Sequence, residues 1–292
     1  MEHAIQKQEI ICRLCGKAES QFFLRKNNCD IYTCTSCGSK FVSPIPSSTE
    51  IYSEDYFTGA GKGFGYTNYD ADKQVMVPVF EDYMRQIIAL RPSKGMLFDI
   101  GAATGFFLAI AGRFGFEVAG VEISDFAASA ARAKGIDVAT GTLETISDVS
   151  ERYDVVTMLD VIEHVADPRV ELSRVHTLLK PNGLLVINTP DVGSLYARLL
   201  GRGWHLLVPP EHLYYFNRST MRTVLEESGY RVLVVKTIGK KFTLPYIFKT
   251  LYMWQRLGVW KWLLHISQHT WLRSIALPVN LFDNMFVIAE KV

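Results

Sequence analysis

The sequence lacks an excess of charge of either sign: 31 Lys and Arg face 30 Asp and Glu, a formal net charge of +1 over 292 residues. That balance removes the global electrostatic pull that gathers basic proteins onto nucleic acid, and no nucleic-acid partner is expected. Long apolar runs are missing too. No stretch approaches the roughly 20 uninterrupted apolar residues that span a bilayer. The richest one, Leu244 to Leu264, is broken by Lys249, Gln255, Arg256 and Lys261. The first residues, Met1 to Ile11, are polar and mixed in charge, with no apolar core ahead of a small-residue cleavage site. A secretory leader is therefore not expected, and a reducing cytoplasm is the expected compartment. Internal repeats and low-complexity tracts are absent as well. What remains is 48% hydrophobic and 21% charged residues, a balance that buries a core. The length suits one full-sized domain plus a small accessory module.

Cysteine is scarce, yet four of the five fall in two pairs, Cys12-Arg-Leu-Cys15-Gly and Cys34-Thr-Ser-Cys37-Gly, with eighteen residues between the pairs. Two residues between thiolates let both sulfurs of a tight turn point at one ion, so the spacing reads as a tetrahedral zinc site. Gly16 and Gly38 follow each pair, where such turns want a positive φ. Two disulfides are the alternative, disfavoured by the expected compartment. Four thiolates leave no open coordination position, so the zinc is expected to be structural. Cys29 reads as a small core or surface residue. A zinc ribbon over 9–46 is expected, with short strands at Gln21–Leu24 and Ile31–Thr33, and Pro44, Pro46, Ser47 and Ser48 mark its exit. The stretch from Ile51 to Tyr69 is dense in Tyr, Phe and Gly. It reads either as a mobile aromatic lid or as a loop packed on the ribbon.

From Val75 to Leu90, apolar residues recur at helical spacing (Val79, Tyr83, Ile87, Leu90). Strands and helices then alternate. Expected strands are Met96–Ile100, Glu117–Glu122, Asp137–Thr140, Tyr153–Leu159, Gly183–Thr189, Tyr230–Ile238 and Asn284–Glu290. Expected helices between them are Gly105–Gly112, Phe126–Lys134, Pro168–Leu179 and Ser219–Ser228. Short buried strands separated by helices mean an α/β, Rossmann-like doubly wound sheet, parallel with an antiparallel last strand, over 70–292.

The most informative segment is Leu97-Phe98-Asp99-Ile100-Gly101-Ala102-Ala103-Thr104-Gly105. An apolar strand runs into a glycine turn and a helix, so backbone can approach a ligand at the strand's carboxyl end. Twenty-one residues after Gly101, Glu122 ends the second strand, where a carboxylate can take both hydroxyls of a ribose. A dinucleotide site wants G-x-G-x-x-G, but position 103 is alanine and an acid, Asp99, sits inside the strand end. That acid suits a cationic ligand and opposes a pyrophosphate, which weakens a dehydrogenase reading. Asp99, Glu122 and Asp160 all sit at strand ends and are expected to line one crevice.

The segment from Leu97 to Asp191 resembles the class I S-adenosylmethionine-dependent methyltransferases. The resemblance implies S-adenosyl-L-methionine as cofactor, with Asp99, Gly101, Ala102 and Gly105 at its methionine part and Glu122 at its ribose. It further implies Thr142 and Leu143 near the adenine, in Gly141-Thr142-Leu143-Glu144, and Leu159 and Asp160 at the amino-acid end. Lys180-Pro181-Asn182-Gly183-Leu184 matches the turn before the fifth strand. Asp160-Val161-Ile162-Glu163-His164 is similar to the E-x-x-E-H element of the ubiquinone-biosynthesis O-methyltransferases, with Asp160 for the first Glu. In those relatives the acids and the histidine can hold a divalent metal, which makes Mg2+ an expectation weakened by the shorter Asp160. A ribbon joined to this fold is also similar to the sugar C-methyltransferases acting on nucleotide-linked sugars.

Methyl transfer needs the acceptor held in line and, for a hydroxyl or carbon acid, a base. His164 reads as base or substrate orienter, or as a structural histidine. His212, in Glu211-His212-Leu213-Tyr214-Tyr215-Phe216, either lines an acceptor pocket or belongs to a packed corner, and Trp204 and His205 are near enough to join it. A helical insertion over about 240–281 carries Trp254, Trp260, Trp262 and Trp271 beside Lys249, Arg256, Lys261 and Arg273. It reads as peripheral membrane contact through 244–275, or as a helical cap or dimer contact. The expected acceptor is a small molecule, a sugar or a lipid-linked compound. The competing functional reading makes the ribbon a module that binds RNA or protein on an inactive methyltransferase scaffold. Against it, only Arg13, Lys17, Arg25 and Lys26 supply positive charge between Cys12 and Cys37.

Overall fold

A computed structural model describes residues 10–46, 69–146, 150–269 and 271–292. The aromatic segment read as a lid therefore lies outside the described residues, apart from Tyr69. The chain enters through a hairpin, β1 (Ser20–Lys26) and β2 (Cys29–Cys34), followed by β3 (Lys40–Val42). The hairpin turns on Asn27 and Asn28 at φ 48° and 61°, the left-handed pair that a two-residue turn needs to match strand twist. Leu14, Ile31, Phe41, Cys12 and Cys34 are buried beneath it.

Helix α1 (Val77–Leu90) starts two residues later than its periodicity suggests, because one 3-10 turn (Gln74–Met76) precedes it. Pro78 sits in the first turn of α1, where a missing N–H costs nothing. The α1 face of Val79, Phe80, Tyr83, Met84 and Ile87 is buried, with Tyr83 stacked on Phe286 at 4.5 Å between ring centroids. After α1 come β4 (Met96–Ile100), α2 (Phe106–Arg113), β5 (Glu117–Glu122), α3 (Asp125–Ala133), β6 (Asp137–Thr140), β7 (Tyr153–Leu159), α4 (Pro168–Leu178) and β8 (Leu179–Pro190). The expected turn at Lys180–Gly183 is a bulge inside β8: Asn182 has φ 59°, and pairing jumps from Tyr153↔Leu179 to Val155↔Leu184.

Next along the chain are α5 (Leu195–Leu200), β9 (Tyr214–Tyr215), α6 (Arg218–Glu227) and β10 (Tyr230–Thr237), and β13 (Asn284–Lys291) closes it. Seven strands form one sheet in the order β10-β13-β8-β7-β4-β5-β6. Pairing is parallel from β8 through β6, whereas β13 runs antiparallel to both β8 and β10. Strands covered on both faces should read as continuous apolar runs. Leu97, Val155, Val156, Leu185, Val186 and Ile187 are accordingly buried.

Two features decide how the site is walled. The insertion is a helix pair, α7 (Leu244–Gln255) and α8 (Gly258–Gln268), framed by a two-stranded sheet of β11 (Lys240–Thr243) and β12 (Ala276–Val279). The ribbon, for its part, shares a sheet with the main fold, since β3 pairs with β9 (Lys40↔Tyr215, Phe41↔Tyr214). Asn27 Nδ2 donates to the Pro209 carbonyl at 2.7 Å. The Cys37 carbonyl accepts from Asn217 and Thr220 at the start of α6, each at 2.9 Å. The Leu14 carbonyl accepts from Arg169 Nη2 of α4 at 2.6 Å.

Candidate active site

The strand order reverses between β4 and β7, so their carboxyl ends open the crevice where ligands bind in doubly wound sheets. Gly101 leaves β4 at φ 72°, and a Cβ there would stand 2.6 Å from Val161 Cγ2. Only glycine lets this loop close against the exit of β7. Ala103 is also left-handed, at φ 48°, which is uncommon for a residue with a Cβ. Its N–H donates to Glu122 Oε2 at 2.8 Å, the bond that holds the turn in that shape.

Asp99 is buried and accepts a hydrogen bond from Thr157 Oγ1 of β7 at 2.5 Å. Burial pushes its pKa up to about 7; the Thr157 bond opposes the rise and the Glu122 charge adds to it. Glu122 lies on the neighbouring strand of the same rim, accepting from Ser124 N–H at 2.9 Å as well as from Ala103. Burial raises its pKa and these backbone bonds work against the rise. Each carboxylate oxygen has two lone-pair directions, so both can still accept from a ribose hydroxyl. The two acids thus meet at one rim. Asp99, Gly101, Ala102, Leu159 and Asp160 line one cleft, together with Tyr69, Lys73, Tyr83, Phe106 and Asn188. Asp70 ties the turn Tyr69–Lys73 across this cleft, accepting from Thr104 Oγ1 and Lys134 Nζ, each at 2.5 Å.

The remaining expected contacts are placed less directly. Gly105 caps α2 at φ 74°, where a Cβ would meet Ile136 Cδ1 at 2.8 Å, so glycine here lets the helix seat closely. Thr142 and Leu143 follow β6 at the same rim: Thr142 caps a short turn, Leu143 is buried, and Gly141 N–H donates to the Glu122 carbonyl at 2.9 Å. Ile123, exposed beside Glu122, is an apolar neighbour of this region that motif reading passed over. Thr157 and Asn188 were passed over too. Each is a polar residue that follows a buried apolar run in a central strand, Val155-Val156 before Thr157 and Leu184 to Ile187 before Asn188, and that interruption is the available signal.

Asp160 holds φ 59°, accepts from Asn188 Nδ2 at 2.5 Å, and donates its N–H to the Asn188 carbonyl at 2.8 Å. It faces the cofactor-type cleft and also a second cavity of about 370 Å3, with Lys73 and Met76 shared between the two. That cavity is walled by Glu163, His164, His205, Glu211 and His212 on one side, and by Phe242, Tyr246, Ile247, Leu251 and Trp254 of the insertion on the other. His164 and His212, 48 positions apart in sequence, stand edge to face with ring centroids 4.8 Å apart. His164 Nδ1 is 2.6 Å from the Glu211 carbonyl, and His212 Nδ1 is 2.9 Å from the Leu206 carbonyl. A carbonyl oxygen only accepts, so Nδ1 carries the proton in both rings and a neutral ring has its lone pair on Nε2. Burial lowers the pKa of His164, which keeps it neutral at neutral pH. Glu211 is pushed up to about 7 by burial. His205 Nδ1 is buried in the cavity wall without a hydrogen-bond partner among the described residues.

Two expectations are revised here. Tyr214, Tyr215 and Phe216 form the packed corner, buried in the core, while Glu211 and His212 of that run reach the cavity. Trp204 is also buried, donating Nε1–H to Asp283 at 2.9 Å, and only its neighbour His205 joins the wall. The metal-type grouping differs as well: Glu163, His164 and His212 have ligand atoms within 4.8 Å of one another, without Asp160. Two imidazoles suit Mg2+ poorly, because that ion seeks oxygen ligands.

In the ribbon, Cys12, Cys15, Cys34 and Cys37 bring their sulfurs within 4.8 Å of one another. Cys12 and Cys37 are 3.9 Å apart at Sγ, Cys15 and Cys34 3.5 Å. Four thiolates at about 2.3 Å around a tetrahedral zinc ion stand about 3.8 Å apart, so the tetrad fits that ion. Gly16 and Gly38 both take φ 74° behind the knuckles.

Comparison with known proteins places this arrangement. The methyltransferase-domain family model matches residues 77–235, a little over half of the chain. The ubiquinone biosynthesis O-methyltransferase of Bradyrhizobium diazoefficiens is 32% identical over 192 residues, which cover 59% of this chain and 74% of that protein. Its counterpart in Azorhizobium caulinodans is 36% identical over 135 residues, covering 40% of this chain and 53% of that protein. Among solved structures, the fold is similar to magnesium protoporphyrin IX methyltransferase from Synechocystis, solved with bound S-adenosylhomocysteine. The TM-score is 0.52 at 15% identity, over 82% of this chain and 97% of the other. It is also similar to an S-adenosylmethionine-dependent methyltransferase from Archaeoglobus fulgidus, with TM-score 0.50 and 19% identity over 75% and 97% of the two chains.

Proposed function

Because this chain belongs to the S-adenosylmethionine-dependent methyltransferases, we propose that it methylates an oxygen of a small, largely apolar acceptor held in the 370 Å3 cavity. The observation that carries this reading is the junction at Asp160, Lys73 and Met76, where the cofactor cleft and a histidine-bearing cavity meet. S-adenosylmethionine, when bound, supplies an electrophilic methyl group on a sulfonium. Asp99 and Asp160 offer carboxylates to the cationic end of that ligand, with Leu159, Gly101 and Ala102 beside them. Glu122 would accept from the ribose hydroxyls, and Thr142, Leu143 and Ile123 would supply the adenine side of the site.

On the acceptor side, His205 Nδ1 and the Glu211 carboxyl anchor polar groups, while Ile247, Leu251 and Phe242 exclude water from the apolar remainder. His164 or His212 takes the hydroxyl proton at Nε2, the other ring holding the acceptor in place. Asp160 turns its backbone left-handed at the junction of the two spaces, so it fixes the meeting point of donor and acceptor. In the ribbon, Cys12, Cys15, Cys34 and Cys37 would hold a structural zinc ion. Residues 9–46 are assigned to that unit and 70–292 to the methyltransferase domain, with 240–281 as its insertion.

The test is transfer of labelled methyl from S-adenosylmethionine to an alkylated catechol and to the same compound with its hydroxyls already blocked. Label in an aryl methyl ether, and none with the blocked compound, is the expected result. Carbon-linked label, or cofactor binding without transfer to the free catechol, would overturn the oxygen assignment.

A further inference from the structure

The insertion roofs the cavity with one side and turns a different surface outward. At the tip of the α7–α8 pair, Trp254 is 42% exposed, Leu257 52%, Val259 51% and Trp262 61%. Val259 and Trp262 are one turn apart on α8, so they share a face. Trp271, just after α8, is exposed as well. Large apolar side chains gathered in this way mark a binding surface more often than ordinary solvent-facing protein.

Charge identifies the occupant. From Lys240 to Phe282 the sequence contains no Asp and no Glu, but six basic residues: Lys240, Lys241, Lys249, Arg256, Lys261 and Arg273. The rest of the chain must therefore be net acidic, given the overall charge of +1. Arg256 and Lys261 are exposed among the tip residues. A second copy of the chain fits badly, because a two-fold contact would press this cationic face against itself. Tryptophan with lysine and arginine is the composition of the bilayer interface, where rings sit at headgroup depth and cations meet anionic lipid. No helix among the described residues is long and apolar enough to cross a membrane, so the contact lies in the interface.

We propose that the α7–α8 tip docks on an anionic lipid bilayer. Trp254 belongs both to this exposed tip and to the cavity lining. Docking thereby brings the edge of the acceptor cavity to the membrane surface, where an apolar acceptor would be dissolved. Only that delivery rests on the acceptor reading above; docking itself does not.

Flotation of the full chain tests docking alone, without cofactor or acceptor. The vesicles are phosphatidylcholine, either pure or with about one third phosphatidylglycerol. Binding to the anionic vesicles is expected to exceed that to the neutral ones by about ten-fold and to fade at high salt. L257S/W262S should lose it while keeping wild-type affinity for S-adenosylhomocysteine, which establishes that the variant is folded. No flotation on anionic vesicles, or flotation unchanged in the variant, overturns the proposal. A wild-type dimer that the two substitutions convert to monomers, with no lipid binding, overturns it in favour of a second copy.

Discussion

The two sides of the acceptor cavity are built in opposite ways. The wall that carries His212 is fixed from both directions: Val42 N–H of the ribbon donates to the Leu213 carbonyl at 2.8 Å, and Leu213 N–H donates to the Glu163 carbonyl at 2.8 Å. Tyr214, Tyr215 and Phe216 are almost wholly buried behind it. The opposite roof is a helix pair whose strands β11 and β12 pair with each other, outside the main sheet, and whose tip is exposed. Proton transfer tolerates little displacement, so the proposed base falls on the side where backbone hydrogen bonds and burial fix geometry. Recognition of an apolar molecule tolerates more, and the roof, with fewer buried contacts, is free to adapt. The ribbon thus braces the wall that carries His212, the wall to which the proposed function assigns the base.

Breaking the wall at its chemistry should have the largest effect. His212→Asn and His164→Asn are expected to cut single-turnover methyl transfer by about 100- to 10,000-fold in whichever ring is the base, with S-adenosylhomocysteine affinity preserved. Equal small losses in both variants would remove the base from this wall. Breaking the brace comes next. Cys34→Ser, or a chelator that removes the zinc proposed for the four thiolates, should lower kcat by roughly 10- to 100-fold through displacement of His212. Cofactor binding, proposed for residues at the carboxyl ends of β4, β5, β6 and β7 and not for the ribbon, should change little by calorimetry. Loss of both together would mean that the ribbon supports the whole fold and not one wall. The roof should respond least: Leu251→Ala or Ile247→Ala is expected to raise the acceptor KM by about 3- to 10-fold with kcat within about two-fold. A kcat collapse in those variants would erase the contrast between the two sides.

Much of this was legible from residue order, and the illegible part has a common cause. Alternation of apolar strands and helices places Asp99, Glu122 and Asp160 on one rim, because parallel strands all end at the same edge. The cysteine spacing likewise brings four sulfurs together, since a two-residue gap leaves little conformational choice. Pairing of β3 with β9 joins Phe41 to Tyr214, far apart along the chain, and no local pattern encodes such a contact. The grouping of Glu163 and His164 with His212 in place of Asp160 goes with other contacts between segments distant in sequence, Leu213 N–H to the Glu163 carbonyl and His164 Nδ1 to the Glu211 carbonyl. The insertion is recognisable as helical and rich in tryptophan, but its place as a roof joins Phe242, Ile247 and Leu251 to His164 and His212 earlier in the chain, which no local pattern encodes.

The buried Asp99 carboxyl carries a last consequence, in the exchange of protons with solvent. With its pKa near 7 in the free protein, against an ordinary value of 3.8, the folded chain holds a proton there that the unfolded chain has lost. Its contribution to stability therefore declines as pH rises from about 4 to 7, the direction expected when the native state binds the extra proton. A cation arriving beside Asp99 favours the ionised form, so binding should expel that proton. Calorimetry of S-adenosylmethionine near pH 6.5, repeated in buffers of different ionisation enthalpy, should register up to about one proton released per ligand. Affinity should weaken by up to about ten-fold per unit as the solution is acidified below pH 7. Asp99→Asn should abolish both signatures, and a buffer-independent enthalpy in the wild type would mean that this carboxyl is already ionised before the ligand arrives.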